Sequence, residues 1–181
     1  MWISISIVVA VVILSVVLWI VYNQLVAARE SIDEALSGID IMLKKRFDLI
    51  PRLVEIVKGY SDYESEVFQR VTELRQEQGD DMIKTEKEDA GLNLVSRSIR
   101  VNYENYPELK SDKQFLELMK ELSEVEDELA MSRRYLNGTI RDYNTKIDVF
   151  PNVIVAKMFG FRERSFYEIE SFEREPQKIF E

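Results

Sequence analysis

The sequence predicts an all-α fold: an N-terminal transmembrane helix continuous with an antiparallel up-down-up-down bundle of four long helices. Three observations predict it. Met1 to Ala28 hold no charged side chain, so the 24 basic and 33 acidic residues of the 181-residue chain all lie beyond them. In that charged remainder, apolar residues recur at steps of three and four, the spacing of one helix face. Outside the first segment, no β-branched run alternates with period two over the length a strand needs.

The first element is Ile3 to Val21, ISISIVVAVVILSVVLWIV, whose only polar side chains are serines. A hydrocarbon core about 30 Å thick takes about 20 apolar residues at 1.5 Å each. Trp2 stands at one end of the run and Trp19 and Tyr22 at the other, the placement of interfacial aromatic anchors. Ser4, Ser6 and Ser15 can return their hydroxyls to carbonyls one turn back. A cleaved signal is the alternative, with Val26 and Ala28 fitting a small-residue cleavage site. Against it, no Lys or Arg precedes the run, and the run exceeds a signal core of about 7–15 residues. Arg29, Lys44, Lys45 and Arg46 follow the span. A single-pass protein of the cell (inner) membrane with a cytoplasmic body is therefore expected.

The next stretch continues the helix. Leu25, Ile32, Leu36, Ile39 and Leu43 fall on one stripe, and no Gly or Pro separates Tyr22 from Gly38. Pro51 is expected to open a new helix with Asp48 as its cap; a single kinked helix is the alternative. Val54, Val57, Val67, Val71 and Leu74 then carry helical spacing to a turn at Gln78-Gly79-Asp80-Asp81. The charged residues 82–90 read as loop or frayed helix. A shorter helix is expected from Leu92 to Tyr103, with Val95 and Ile99 inward, ended by Asn105-Tyr-Pro107. Ser111-Asp112 opens the last long helix. Its seam is Phe115, Leu118, Leu122, Val125, Leu129, Ser132, Leu136, Thr139, Tyr143 and Lys146, a coiled-coil-like run ended by Pro151. The predicted organisation is an anchor over 1–22, a bundle over 23–149, and an apolar membrane-proximal segment with a charged tail over 150–181.

This topology returns the last helix to the membrane. Residues 150–161 then reach lipid, where Phe150, Ile154, Met158, Phe159 and Phe161 can bury while Lys157 snorkels. A cap over the open end of the bundle is the equal alternative. Antiparallel pairing also aligns polar residues into a ladder that could set register. Asn23 falls opposite Asn144, Asp33 opposite Arg134, and Arg29 near Asn137 and Arg141. Asp40 and Asp48 are directed at neighbouring Lys or Arg; exposure to water is the alternative for all of them. Gly38, Gly59 and Gly138 lie inside helices at a cost of about 1 kcal/mol each, which close helix approach is expected to offset.

The composition excludes several chemistries. With no cysteine and no histidine, disulfides, thiolate–imidazole zinc sites and Ser–His or Cys–His nucleophiles are impossible. Acid–base work would fall to carboxylates, Lys or Tyr. Glu121, Glu124 and Glu128 form one row, but ferritin-like sites add His, so a solvated face is expected. The glycines form no phosphate-cradling loop, and no calcium-loop spacing occurs. A net charge of -9 without a basic patch argues against nucleic acid. No catalytic, cofactor or metal residue is assigned.

Three blocks make the chain similar to a known family. They are Tyr22-Asn23-Gln-Leu-Val-Ala-Ala-Arg29; Ile39-Asp40-Ile-Met-Leu-Lys-Lys-Arg46-Phe-Asp48-Leu-Ile-Pro51-Arg-Leu-Val54 continuing through Glu55-Ile-Val-Lys58-Gly59-Tyr60; and Arg133-Arg-Tyr-Leu-Asn137 with Arg141-Asp-Tyr143-Asn144, Phe150-Pro151 and Phe159-Gly160-Phe161. In these it resembles the LemA family of bacterial membrane proteins. The resemblance implies an N-terminal anchor and an all-α bundle of structural or accessory type, and no general reaction. The expected function is a membrane-anchored, non-enzymatic scaffold whose partners are the bilayer and further copies of itself. An adaptor presenting a heterologous partner to a membrane protease or sensor is the alternative.

Overall fold

A computed structural model of the protein describes residues 2–58, 82–105 and 109–168. Every regular element among the described residues is helical. Helix α1 spans Trp2–Lys58, α2 Met82–Asn105, α3 Lys113–Asp148 and α4 Asn152–Phe159, with a 3-10 turn at Leu109–Ser111 before α3. The chain forms two compact units. One comprises Met1–Leu36 with Arg134–Phe166, the other Ser37–Arg133 with Tyr167–Glu181.

In the first unit α1 begins with nearly every side chain exposed from Trp2 to Ile20. Ser6 donates to the carbonyl of Trp2 at 3.0 Å and Ser15 to that of Val11 at 2.9 Å, so both hydroxyls are satisfied within the helix. From Val21 the helix buries one stripe: Val21, Leu25, Ala28, Ile32 and Ala35. Helix α3 contributes Leu136, Ile140, Tyr143 and Ile147, and α4 Val155 and Ala156. The seam expected through Thr139 and Lys146 is therefore corrected to Ile140 and Ile147. Two successive steps of four, Val125 to Leu129 to Arg133, advance the stripe by one residue and bring the isoleucines inward.

Where α1 passes from the first unit into the second its stripe makes the same adjustment, Ala35 to Ile39 to Leu43, and it continues through Ile50, Leu53 and Val57. Leu36, expected on it, is half-buried. Helix α1 passes through Pro51, so the new helix expected there does not start. Proline costs about 3 kcal/mol in a helix interior. Leu49, Ile50, Leu53 and Val54 around it are all buried, at about 1.5–3 kcal/mol each, and outweigh that cost.

Residues 82–90 are likewise helix rather than loop, because α2 starts at Met82. Its inward stripe runs Thr85, Asp89, Leu92, Ser96 and Ile99, which is helical spacing written partly in polar residues. Helix α3 opens as expected: one Asp112 carboxylate oxygen accepts from the N–H of Gln114 at 2.9 Å and of Phe115 at 3.0 Å. A Cβ added to Gly38 or Gly138 would meet nothing within 4 Å, so close approach is not what places glycine there. Gly59, the helix expected through Leu74 and the turn at 78–81 lie outside the described residues.

Candidate functional site

In the second unit, long helices with apolar stripes enclose a group of charged side chains standing at stripe positions. Arg46 lies seven residues after Ile39 on α1 and is 1% exposed; Asp89 on α2 is 0% exposed. The Arg46 guanidinium donates from Nη1 to Asp89 Oδ1 at 3.5 Å. From Nη2 it donates to Ser96 Oγ at 3.1 Å and to Glu126 Oε1 at 2.9 Å. Arg100 of α2 bonds the second Glu126 oxygen. Arg133 of α3 bonds the same Asp89 oxygen that faces Arg46. Tyr167, buried beyond α4, donates its hydroxyl to Asp89 Oδ2 at 3.1 Å and lies 3.3 Å from the Thr85 carbonyl. Thr85 in turn donates to Asp40 Oδ1 at 3.1 Å, and the N–H of Glu168 to Glu86 Oε1 at 2.8 Å.

Three guanidiniums and two carboxylates thus close on one another across α1, α2 and α3. Burial pulls the Arg46 pKa below its usual value, with Arg133 adding to the shift and Glu126 and Asp89 opposing it. Burial first, and then the Asp89 carboxylate, push the Tyr167 hydroxyl well above a free phenol. The Tyr167 phenol therefore keeps its proton at neutral pH. The arrangement suits register: each charge has its partner only when three helices and Tyr167 stand at one offset. The Nε atoms of Arg46 and Arg133 are buried without a hydrogen-bond partner among the described residues.

Of these residues only Asp40 stands among the expected polar pairs, and Arg46 and Arg133 fall in the family-like blocks. The signal was present in the spacing. Arg46 stands at heptad distance from Ile39 and Leu53, Asp89 between Thr85 and Leu92, and Arg133 between Leu129 and Leu136.

Asn144 donates to the Arg164 carbonyl and accepts the Arg164 N–H, both at 2.9 Å, so its partner is that main chain; Asn23 is exposed. Arg29 pairs with its neighbour Glu30 at 3.1 Å. Asp33, Arg134 and Arg141 are exposed, Asn137 is half-buried, and half-buried Asp40 takes the Thr85 hydroxyl. The row Glu121, Glu124 and Glu128 is exposed, with Lys120 on Glu124 at 3.6 Å and Lys45 on Glu128 at 3.5 Å.

The expected membrane residues gather in the first unit. Trp2 and Trp19 are exposed. The Tyr22 ring lies 4.8 Å from the Phe159 ring at 57° and 5.9 Å from the Phe161 ring at 68°. Phe150, Ile154, Met158 and Phe159 are exposed and Phe161 half-buried. Tyr143 donates to the Arg162 carbonyl at 3.0 Å. Burial raises its pKa, against the pull of Arg164 and Arg29.

Comparison with known proteins adds a family match. The model of the LemA family matches residues 35–180. Protein LemA of Metamycoplasma hominis is 25% identical over 155 residues, covering 84% of this chain and 71% of that protein. Magnetosome protein MamQ of Magnetospirillum gryphiswaldense is 22% identical over 174 residues, covering 81% of this chain. Magnetosome protein MamQ 2 of Paramagnetospirillum magneticum is 21% identical over 175 residues. The chain spans 64% of the length of each of these two MamQ proteins.

Proposed function

The chain belongs to the LemA family, and from that premise we propose that it is a membrane-anchored, non-enzymatic helical scaffold that self-associates at the bacterial cytoplasmic membrane. The observation that carries the reading is α1. One uninterrupted helix presents apolar side chains on all sides over its first part and a packed stripe over its second. Apolar surface of that extent needs lipid around it, and the span is long enough to cross a bilayer. In this reading the body is an up-down-up-down bundle on the cytoplasmic side.

Chemistry supports a non-enzymatic role. The charges of Arg46, Asp89 and Arg133 are consumed by one another and by Glu126, and Glu124 and Glu128 of α3 pair with lysines. Self-association draws support from apolar residues left outside the stripes: Ile41, Ile83, Leu94, Leu116 and Met131 are exposed in the second unit. Such residues are the raw material of contacts between copies.

Native mass measurement of the full chain in mild detergent at micromolar concentration tests this. A defined homo-oligomer is expected. A strict monomer overturns self-association, and a monomer purified in fixed ratio with one heterologous membrane protein replaces it with the adaptor reading.

A further inference from the structure

Helix α4 is short, and its two faces differ. Val155 and Ala156 are buried, whereas Ile154 is 50% and Met158 63% exposed, one turn apart. Phe150, just before the helix, is 80% exposed. This apolar surface is not isolated in the unit. Phe159 and Phe161 close on Tyr22, the residue that directly follows the apolar run of α1. It therefore sits at the depth where hydrocarbon would give way to headgroups.

The segment after α4 is held in place. Gly160 takes φ 74°, and the N–H of Phe161 returns to the Ala156 carbonyl at 2.9 Å, closing the helix. Tyr143 and Asn144 of α3 then grip the main chain at Arg162 and Arg164. Over residues 150–166 the charged side chains are Lys157, Arg162 and Arg164 against Glu163 alone, in a chain whose net charge is -9. An apolar helix face with basic neighbours, docked at the end of a span, has the makeup of an interfacial helix on an anionic surface.

We propose that α4 is an interfacial foot: Phe150, Ile154 and Met158 enter the headgroup boundary, and Lys157, Arg162 and Arg164 engage the phosphates of anionic lipids. The inference rests on the membrane-anchored reading above. Its occupant is the bilayer that holds α1, because the foot packs on the exit of that same helix.

The test uses the full chain in vesicles of phosphatidylcholine with or without phosphatidylglycerol, with bromine on shallow acyl positions. Four single-tryptophan proteins are compared. One keeps Trp19 alone. The other three replace both native tryptophans with Phe and carry Met158→Trp, Ile154→Trp or Tyr135→Trp, the first two reporting on the foot and the last on an exposed α3 position. Bromolipid is expected to quench Trp19 and both foot reporters about twofold or more, and Tyr135→Trp hardly at all. Adding Arg162→Gln and Arg164→Gln is expected to lower foot quenching in anionic vesicles to the level in phosphatidylcholine. Quenching of Trp19 with neither foot reporter quenched overturns the foot and leaves the anchor standing. Absence of quenching at Trp19 overturns the anchor itself. Foot quenching that is equal in both lipids and indifferent to the arginine changes overturns the anionic preference.

Discussion

Replacing Asp89 with alanine removes an acceptor used at once by Arg46, Arg133 and Tyr167, and leaves both guanidiniums where they are. Arg46 is 1% exposed and cannot reach water without opening the helices. It retains Glu126 and Ser96, so its charge is not wholly abandoned. Arg133, at 15% side-chain exposure, can rehydrate in part. Removing one partner of a buried pair costs about 3–5 kcal/mol, and the two retained bonds place Asp89→Ala near the lower end, about 3 kcal/mol. That is a large share of a domain's total of about 5–15 kcal/mol. For a chain of this size it lowers Tm by about 6–12 °C. Asp89→Asn keeps the shape and one acceptor and should cost about half as much. Adding Arg46→Met to Asp89→Ala should cost less than the two single changes together, because the second change removes a charge already stranded. Thermal and denaturant unfolding followed by circular dichroism in mild detergent at pH 7 measures all of these. A cost below about 1 kcal/mol for Asp89→Ala, the range of a surface pair, would refute the reading that Arg46 and Asp89 are sealed from water.

Four further changes follow from geometry. Tyr167 has a folded pKa above the phenol value of about 10, so its contribution is complete below pH 10 and is lost as the unfolded chain ionises above it. Tyr167→Phe should cost about 1 kcal/mol at neutral pH, and the gap to the parent should close by about 1.4 kcal/mol per pH unit above 10, read from denaturant titrations between about pH 8 and 11. Gly138→Ala should stabilise by about 0.5–1 kcal/mol, since its Cβ meets nothing within 4 Å, whereas Gly160→Ala, at φ 74°, should destabilise by about 1 kcal/mol; paired melting curves give both signs. Asp112→Ala should cost about 1 kcal/mol in the same assay, because the two N–H groups at the start of α3 lose their acceptor.

The apolar stripes were the most readable part of the chain. Phe115 to Leu129 lie buried where steps of three and four put them, and Asp112 caps the helix it precedes. Past Leu129 the strict heptad points to Thr139 and Lys146, but a second step of four onto Arg133 moves the interior to Ile140 and Ile147. A charged residue at the shift hid it. The same blindness concealed the candidate site: Arg46 and Asp89 occupy interior positions, yet single-residue chemistry assigns such side chains to water. Residues 82–90 looked too charged to fold for that reason. At Pro51 a valid local rule lost to the burial of its neighbours. What no spacing could supply is Tyr167, whose partners Thr85 and Asp89 lie about eighty positions earlier in the chain.

Terminal stretches usually tolerate trimming. Here the hydroxyl that reaches Asp89 comes from the closing residues of the described chain. Cutting the polypeptide back to Phe166 would strip that donor from the interior carboxylate, although the cut falls after the last described helix. Proteolytic nicking at this spot would act as a core mutation does, loosening helices far away in sequence, and a fusion partner belongs well downstream of Tyr167 or at no point on that end.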